Sequence, residues 1–191
     1  MRADGSFARL PHMTDVHIPR PTSGDVVDVI LDDHRLFESL LRDLRDATAD
    51  REAARSALSS VLIAHGEAEE AEVYPKLVRR KAIGDEEAEH GEEEHAEGHE
   101  ALLAVLECAG TDTQKFDDAV EELARVVGHH LTEEELTILN PARDDVGPRV
   151  RENLGQKFAD ERNSQIDDDC GRLANVRRIV SQARKEGLLE D

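Results

Sequence analysis

The chain has 191 residues and no tryptophan, and its 44 acidic against 24 basic residues give a formal net charge of −20 at pH 7. A nucleic-acid backbone or an anionic membrane surface is bound through patches of Lys and Arg, so this charge argues against both partners. No stretch approaches the roughly 20 apolar residues of a membrane span, and the N-terminus lacks the apolar core of a signal peptide, which predicts a cytoplasmic protein.

The beginning of the chain predicts a leader followed by a helix. Residues 1–23 contain three prolines and no apolar periodicity, a pattern typical of a flexible segment. Thr22, Ser23 or Asp25 can cap a first helix that runs to about Ala49, because apolar residues recur there at helical spacing.

Three more amphipathic helices follow, and prolines, glycines and capping residues predict their ends. The predicted bounds are Asp50 to Pro75 or Gly84 for the second helix, the acidic run 85–100 to just before Gly110 for the third, and Thr111 or Asp112 to Asn140 and Pro141 for the fourth. Four helices of about 20 to 28 residues with short connections imply antiparallel neighbours. The predicted fold is therefore all-α, an up-down-up-down four-helix bundle.

The rest of the chain has a different pattern. Glycines and a proline break residues 142–191 into two short helices, predicted at about 149–162 and 172–186. This C-terminal helical extension either packs outside the bundle or mediates self-association, and the sequence leaves both alternatives and the oligomeric state open. The predicted organisation is a leader at 1–23, a bundle at 24–141 and the extension.

Each of the four bundle helices carries a histidine among its apolar positions. In three of them a second candidate ligand follows four residues later, and an i,i+4 step keeps two side chains on nearly the same helix face. Five histidines and two glutamates are therefore predicted to converge at one level of the bundle: His34, His65, Glu69, His95, His99, His130 and Glu134. Two other histidines, His90 and His129, are rotated by roughly 140° and 100° from His95 and His130 and are predicted to point away from the core.

This set predicts a site for two metal ions. Imidazole with a few carboxylates suits iron, and also zinc or copper, and a glutamate can bridge two cations. Without a metal, two carboxylates in an apolar core would be costly unless they were protonated or paired. A single histidine on an apolar face is more often a core residue with a satisfied hydrogen bond, so it is the combination across four helices that indicates a metal centre.

The same segments resemble the hemerythrin-like (HHE) family of cation-binding domains over about residues 24–141. The matching segments are Asp32–Phe37 in the first helix, His65–Glu69 followed by Val73–Pro75 in the second, His95–Leu103 in the third, and His130–Glu135 followed by Leu139–Pro141 in the fourth. The resemblance implies a non-haem centre of two iron ions, oxo- or hydroxo-bridged and also bridged by two carboxylates. It implies the seven side chains named above as the ligands, although some family members use only one histidine of the third helix, which concerns His99.

One position departs from the oxygen-carrying members of that family. They usually have His-x4-Asp in the fourth helix, whereas this chain has His130-x3-Glu134, with Glu135 at the x4 position. A longer carboxylate in a different register changes the bridge, so the resemblance implies iron binding but not reversible oxygen carriage.

Three further residues are given secondary roles. Glu38 and Glu72 lie close to the predicted ligand face and are candidate partners or substitutes of the ligands. Tyr74, the one tyrosine, is interpreted as a packing residue before Pro75, with a role at the metal as the alternative.

Three functions are compatible with such a centre, since each needs one open iron position. The protein binds O2, NO or H2O2 as a carrier or sensor, or consumes peroxide or NO as an enzyme, or stores or reports iron without turnover. A role in oxidative or nitrosative stress or in iron handling is favoured, and enzymatic activity is left open. A ferritin-like di-iron oxidase is disfavoured, because that class needs Glu-x-x-His on two helices, whereas both such pairs, Glu87–His90 and Glu92–His95, lie in the third helix.

Overall fold

The computed structural model describes residues 16–189, and every regular element in that range is helical, which confirms the all-α prediction. Single π-helical turns, Glu69–Val73 and Glu135–Leu139, join α2 to α3 and α5 to α6 without a break. None of the described helices is long and apolar enough to cross a membrane. The helices are α1 (Val26–Arg45), α2 (Arg51–Ala68), α3 (Tyr74–Arg80), α4 (Asp85–Leu106), α5 (Gln114–Glu134), α6 (Asn140–Asp145), α7 (Pro148–Asp167) and α8 (Leu173–Glu186).

Capping side chains explain where the helices begin. Asp25 and Asp50 cap α1 and α2 by accepting backbone N–H groups of the first turn at 3.1 and 3.0 Å. The cap of α5 is Thr113, which accepts a first-turn N–H at 3.2 Å. The predicted caps Thr111 and Asp112 are therefore wrong by one or two residues.

Several predicted helix ends also differ from the structure. The first helix ends at Arg45 and not at about Ala49, because the Asp46 carboxylate accepts the N–H and hydroxyl of Thr48 and turns the chain. The second and fourth helices continue beyond their prolines, through the π-helical turns, to the ends of α3 and α6. Gly155, predicted to break the extension, lies inside α7.

The helices α1, α2, α4 and α5 form a closed ring. α1 packs along α2 and α4 along α5, and contacts of α2 with α4 and of α1 with α5 complete the ring. Two clusters of buried apolar side chains fill its interior, one containing Phe37, Leu58 and Leu102, the other containing Ile30 and Leu77. Along each helix the predicted ligand histidine stands where residues of one cluster give way to residues of the other. The predicted site is therefore a polar layer between two apolar clusters.

The C-terminal extension packs on the bundle, the first of the two alternatives that the sequence left open. α7 lies against α1 and α2, and α8 lies against α4. Phe158 of α7 joins one apolar cluster, and Val176 and Val180 of α8 join the other. The extension thus completes the core of the same unit.

Part of the predicted leader is also held in place. Within the described range, Arg162 of α7 donates to the Pro19 carbonyl at 3.0 Å, and Asn163 donates to the Pro21 carbonyl at 2.7 Å. The remainder of the leader prediction, residues 1–15, lies outside the described residues.

Candidate metal centre

Six of the seven predicted ligands meet in two groups within the polar layer. In each group, one ligand atom per residue lies within 4.8 Å of the corresponding atoms of the other two residues. Each group offers two imidazoles and one carboxylate, and no member is more than 5% exposed. The first group is His34, His65 and Glu134, and the second is Glu69, His95 and His130.

The two glutamates face histidines of both groups. Glu69 Oε2 lies 3.1 Å from His65 Nε2 and 3.2 Å from His95 Nε2. Glu134 Oε2 lies 3.1 Å from His34 Nε2 and 3.8 Å from His130 Nε2. Each carboxylate therefore stands between the groups, as a ligand that bridges two cations must.

The outer nitrogen of each of these four histidines is held by a carboxylate. Because an ionised carboxylate only accepts hydrogen bonds, each Nδ1 carries a proton, and Nε2 would present its lone pair to a cation that displaces the proton on that side. The four pairs are His34 with Glu135 at 3.0 Å, His65 with Asp33 at 3.2 Å, His95 with Glu70 at 2.8 Å and His130 with Glu94 at 3.1 Å.

These four carboxylates follow one rule in the sequence. Each is the immediate neighbour of a ligand, as Asp33 is of His34 and Glu94 is of His95. Consecutive residues on a helix point about 100° apart, so one faces the centre while the other reaches the next helix of the ring. The α1 chain segment holds a histidine of α2, the α2 segment one of α4, the α4 segment one of α5, and the α5 segment one of α1. The ligand rings are therefore oriented by a closed cycle of hydrogen bonds.

The electrostatics of the layer keep the Glu69 carboxylate ionised. Burial acts to raise the pKa of the Glu69 carboxyl, but His65 and His95 outweigh it and hold that pKa well below its usual value. Burial likewise acts to lower the pKa of the His65 imidazole, yet Glu69 and Asp33 raise it to about 9. Imidazole and carboxylate thus compensate each other's burial in the chain itself.

Some buried atoms of the layer still have no hydrogen-bond partner among the described residues. They are His65 Nε2, His130 Nε2 and Glu69 Oε1. Buried polar atoms are nearly always paired, and a cation in each group would supply the partner that these atoms need. Imidazole nitrogen with carboxylate oxygen is a donor set that iron, zinc and copper accept. The residues present therefore fit a two-metal centre.

The family of the hemerythrin HHE cation-binding domain matches residues 25–141. The chain belongs to this family. It is also similar to a DNA nickase from Nostoc sp. (strain PCC 7120), with 26% identity over 137 residues, which is 70% of this chain. The match covers 38% of the nickase, so the chain corresponds to well under half of that relative. No solved structure matches the chain.

Arg162, which supports the candidate centre of this hemerythrin-like domain, lies outside the range that matches the family. Arg162 of α7 is fully buried and forms a two-point pair with Asp33, with Nε to Oδ2 at 2.6 Å and Nη2 to Oδ1 at 2.7 Å. Burial acts to raise the pKa of Asp33, but His65 and Arg162 hold that pKa below its usual value. Asp33 in turn holds His65, so α7 orients a ligand from outside the bundle.

Tyr74 lies in the centre, which favours the alternative role named from the sequence over simple packing. Its hydroxyl donates to Glu134 Oε1 at 3.2 Å and lies 3.4 Å from Glu69 Oε2 and 3.5 Å from His95 Nε2. A Cβ atom at Gly91 would lie 3.0 Å from the Tyr74 ring, so the glycine provides the space that the phenol needs. The phenol oxygen is therefore one more candidate metal-binding oxygen at the level of the two ligand groups.

The structure does not bring His99 into either group. Its ring is buried beside His95, and its backbone hydrogen bond is to Leu62. Burial, with the neighbouring His95 and His130, lowers the pKa of His99 to about 3, which keeps the ring neutral. His90 and His129 point outward as expected, with side chains 55% and 60% exposed.

Sequence reasoning missed the partners of the ligand histidines. Glu38 is exposed, and Glu72 pairs with Lys157 at 2.9 Å, so neither of the two residues given that role contacts a ligand histidine. The signal that identifies the real partners is an acidic residue directly beside a ligand on the chain. The residues found in this way are Asp33, Glu70, Glu94 and Glu135.

Proposed function

We propose that this protein holds two iron ions in the polar layer and uses them to bind a small ligand, O2, NO or H2O2. The observation that carries this proposal is the pair of His2Glu groups that share their two glutamates. Iron is favoured over zinc or copper because the resemblance to hemerythrin-like domains implies a centre of two irons. The up-down-up-down order of the four ring helices is part of the same proposal.

The chain's own residues supply binding and orientation. Glu69 and Glu134 would each bind both cations, and the four Nε2 atoms would complete the two groups. The surrounding carboxylates fix the tautomer and direction of each ring, which in metal sites is worth about 10 to 100-fold in affinity. When bound, a pair of irons supplies an open coordination position and one-electron redox chemistry.

The burial of the centre limits what reaches it. Every residue of the two groups is at most 5% exposed, so only a molecule of a few atoms fits without opening the bundle. This favours a diatomic gas or peroxide over a larger substrate, in keeping with a role in oxidative or nitrosative stress. Consumption of peroxide or NO by the same centre, and storage or reporting of iron without turnover, are the alternatives that assays of turnover distinguish.

The fourth-helix register now has a structural interpretation. Glu135, at the position where oxygen carriers have aspartate, holds His34 Nδ1 and is half exposed. Glu134, one residue earlier, faces histidines of both groups and would take the bridging position. We therefore propose that the centre binds a small ligand, and we do not assign it reversible oxygen carriage.

The nickase similarity is not extended to this chain. Binding DNA requires Lys and Arg against phosphate, and a net charge of −20 opposes that contact.

The cytoplasmic location stays a prediction from the sequence.

The test is elemental analysis of the protein purified in air, combined with its ultraviolet–visible spectrum. About two irons per chain with near-ultraviolet charge-transfer bands would support the centre, and anaerobic reduction followed by NO or peroxide addition should then change the spectrum. Protein that stays folded, colourless and iron-free after anaerobic addition of Fe²⁺ would overturn the proposal.

A further inference from the structure

The two oxygens of the Glu94 carboxylate differ in whether they have a hydrogen-bond partner. Oε2 accepts the hydrogen bond from His130 Nδ1 at 3.1 Å, whereas Oε1 has no hydrogen-bond partner among the described residues. The Glu94 side chain is only 7% exposed, so bulk water offers little compensation. A buried, charged oxygen without a partner is costly, which indicates that something else approaches it.

Two exposed histidines flank that oxygen. His90 Nε2 lies 3.7 Å from Glu94 Oε1, and His129 Nε2 lies 3.6 Å from it. Both distances are longer than a hydrogen bond, but they are close to the separation of about 3.4 Å between two ligand atoms that share a tetrahedral cation at about 2.1 Å. Each imidazole nitrogen therefore lies near a ligand's spacing from Glu94 Oε1, although the three side chains do not form a compact group of the kind seen in the buried layer.

We propose that His90, Glu94 and His129 form a third metal site, which takes a divalent transition-metal cation such as Zn²⁺ through two imidazoles, one carboxylate oxygen and water. His90 and Glu94 are one turn apart on α4, and His129 comes from the facing helix α5. Both imidazoles are more than half exposed, so their side chains are free to turn toward a shared ion. Three protein ligands with water in the remaining position is a common arrangement for zinc.

The surroundings of the site also suit a cation. Glu93 Oε2 lies 3.7 Å from His90 Nδ1, so a second carboxylate faces the other nitrogen of this ring. The net charge of −20 attracts cations to the surface. One carboxylate then serves two metal sites, with Oε1 binding the outer ion directly and Oε2 orienting His130 toward the inner one.

The experiment is calorimetric titration of the full-length, iron-loaded protein with Zn²⁺. The wild type should bind one zinc in addition to its iron, and His90→Ala and His129→Ala should each weaken that binding by at least about tenfold. The double variant should lose it. His17→Ala, another exposed histidine remote in sequence from the site, is the matched control and should bind zinc as the wild type does.

Iron content separates this proposal from the buried centre. Because His90 and His129 lie outside the two buried groups, iron per chain should stay unchanged in both variants. If the wild type takes up no additional zinc, or if the zinc binding is equally strong in the His90 and His129 variants, the surface site does not exist. The same titration of an iron-free chain would still report the His90-dependent zinc, so failure of the iron proposal would not be mistaken for failure of this one.

Discussion

Two kinds of histidine lie within a few ångströms of each other in the polar layer. His130 has its outer nitrogen held by Glu94 and its inner nitrogen unpartnered, whereas His99 is held by the Leu62 backbone and belongs to neither ligand group. Both rings are buried to the same extent. The difference between them is therefore in what the ring nitrogens face, and substitution separates the two roles.

We expect His130→Ala to lose bound iron, because it removes one of two imidazoles from its group. We expect His99→Ala to keep about two irons and to lose only packing, at a cost of about 1 to 3 kcal/mol of unfolding free energy. Iron per chain by elemental analysis and unfolding by denaturant measure the two effects. His129→Ala, beside His130 but exposed, is the control for iron content.

A His99→Ala protein without iron would restore His99 to the ligand set predicted from the sequence. A His130→Ala protein that keeps two irons would remove the second group from the proposal.

The six candidate ligands that meet in the two groups could be predicted from the sequence because their positions depend on spacing within one helix. An i,i+4 step in register with apolar residues places His65 and Glu69 on one face whatever the rest of the fold does. The carboxylates that hold the rings depend on contacts between helices, and among 44 acidic residues none is conspicuous by type. Arg162 comes from a helix whose position the sequence left open, so its pairing with Asp33 could not be predicted.

At the scale of elements, α7 connects the C-terminal extension to the polar layer. Arg162→Leu should destabilise the protein by about 3 to 5 kcal/mol, because it leaves the buried Asp33 carboxylate without its guanidinium and with only the His65 imidazole as a partner. It should also weaken iron binding by about 10 to 100-fold through His65. Lys157→Met on the same helix is the control, since its pair with Glu72 is exposed and is worth about 0 to 1 kcal/mol. Denaturant unfolding and iron titration are the measurements. Equal stability of the two variants would mean that Arg162 does not support the centre.

The π-helical turns explain why two prolines were wrongly predicted to end helices, Pro141 in the fourth helix and Pro75 as the alternative to Gly84 in the second. A proline inside an α-helix lacks the N–H group for the i→i−4 bond and clashes with the preceding turn, so Pro75 and Pro141 predicted helix ends. In the structure the residue before each proline donates five residues back, as Tyr74 does to the Glu69 carbonyl, and the wider turn lets the helix continue. Sequence periodicity cannot register such a turn, because it assumes 3.6 residues per turn throughout.

The approach of α7 to the start of α1 depends on a glycine. A Cβ atom at Gly155 would lie 2.2 Å from the Gly24 carbonyl oxygen, a backbone atom that cannot move aside alone. Gly155→Ala should therefore destabilise the protein by about 1 to 3 kcal/mol despite the better helix propensity of alanine. Gly128→Ala, inside α5 with no atom within 4 Å of its added Cβ, should stabilise it by about 0.5 to 1 kcal/mol. Thermal or denaturant unfolding that gave both variants the same sign would contradict the close contact.

At the scale of the whole molecule, the polar layer separates the buried apolar side chains into two clusters. The apolar clusters on either side contain most of the buried leucine, isoleucine, valine and phenylalanine, and residues from α7 and α8 join them. We therefore expect the helical structure to form without iron, whereas the layer between the clusters holds carboxylates and unpartnered ring nitrogens. Folding and metal binding are expected to be linked without being the same event.

Removal of iron should lower the midpoint of thermal unfolding while leaving the far-ultraviolet circular dichroism at low temperature nearly unchanged. A ligand that binds only the native state stabilises it by RT ln(1 + [L]/Kd), about 4 kcal/mol when the free cation is 1,000 times its Kd. Calorimetry of the iron-loaded and chelator-treated protein measures this difference, and His130→Ala, which lacks a ligand, should show a much smaller one. An iron-loaded protein whose midpoint did not change on chelation would mean that its iron is bound outside the polar layer, because a cation bound only by the native arrangement of these ligands must stabilise the native state.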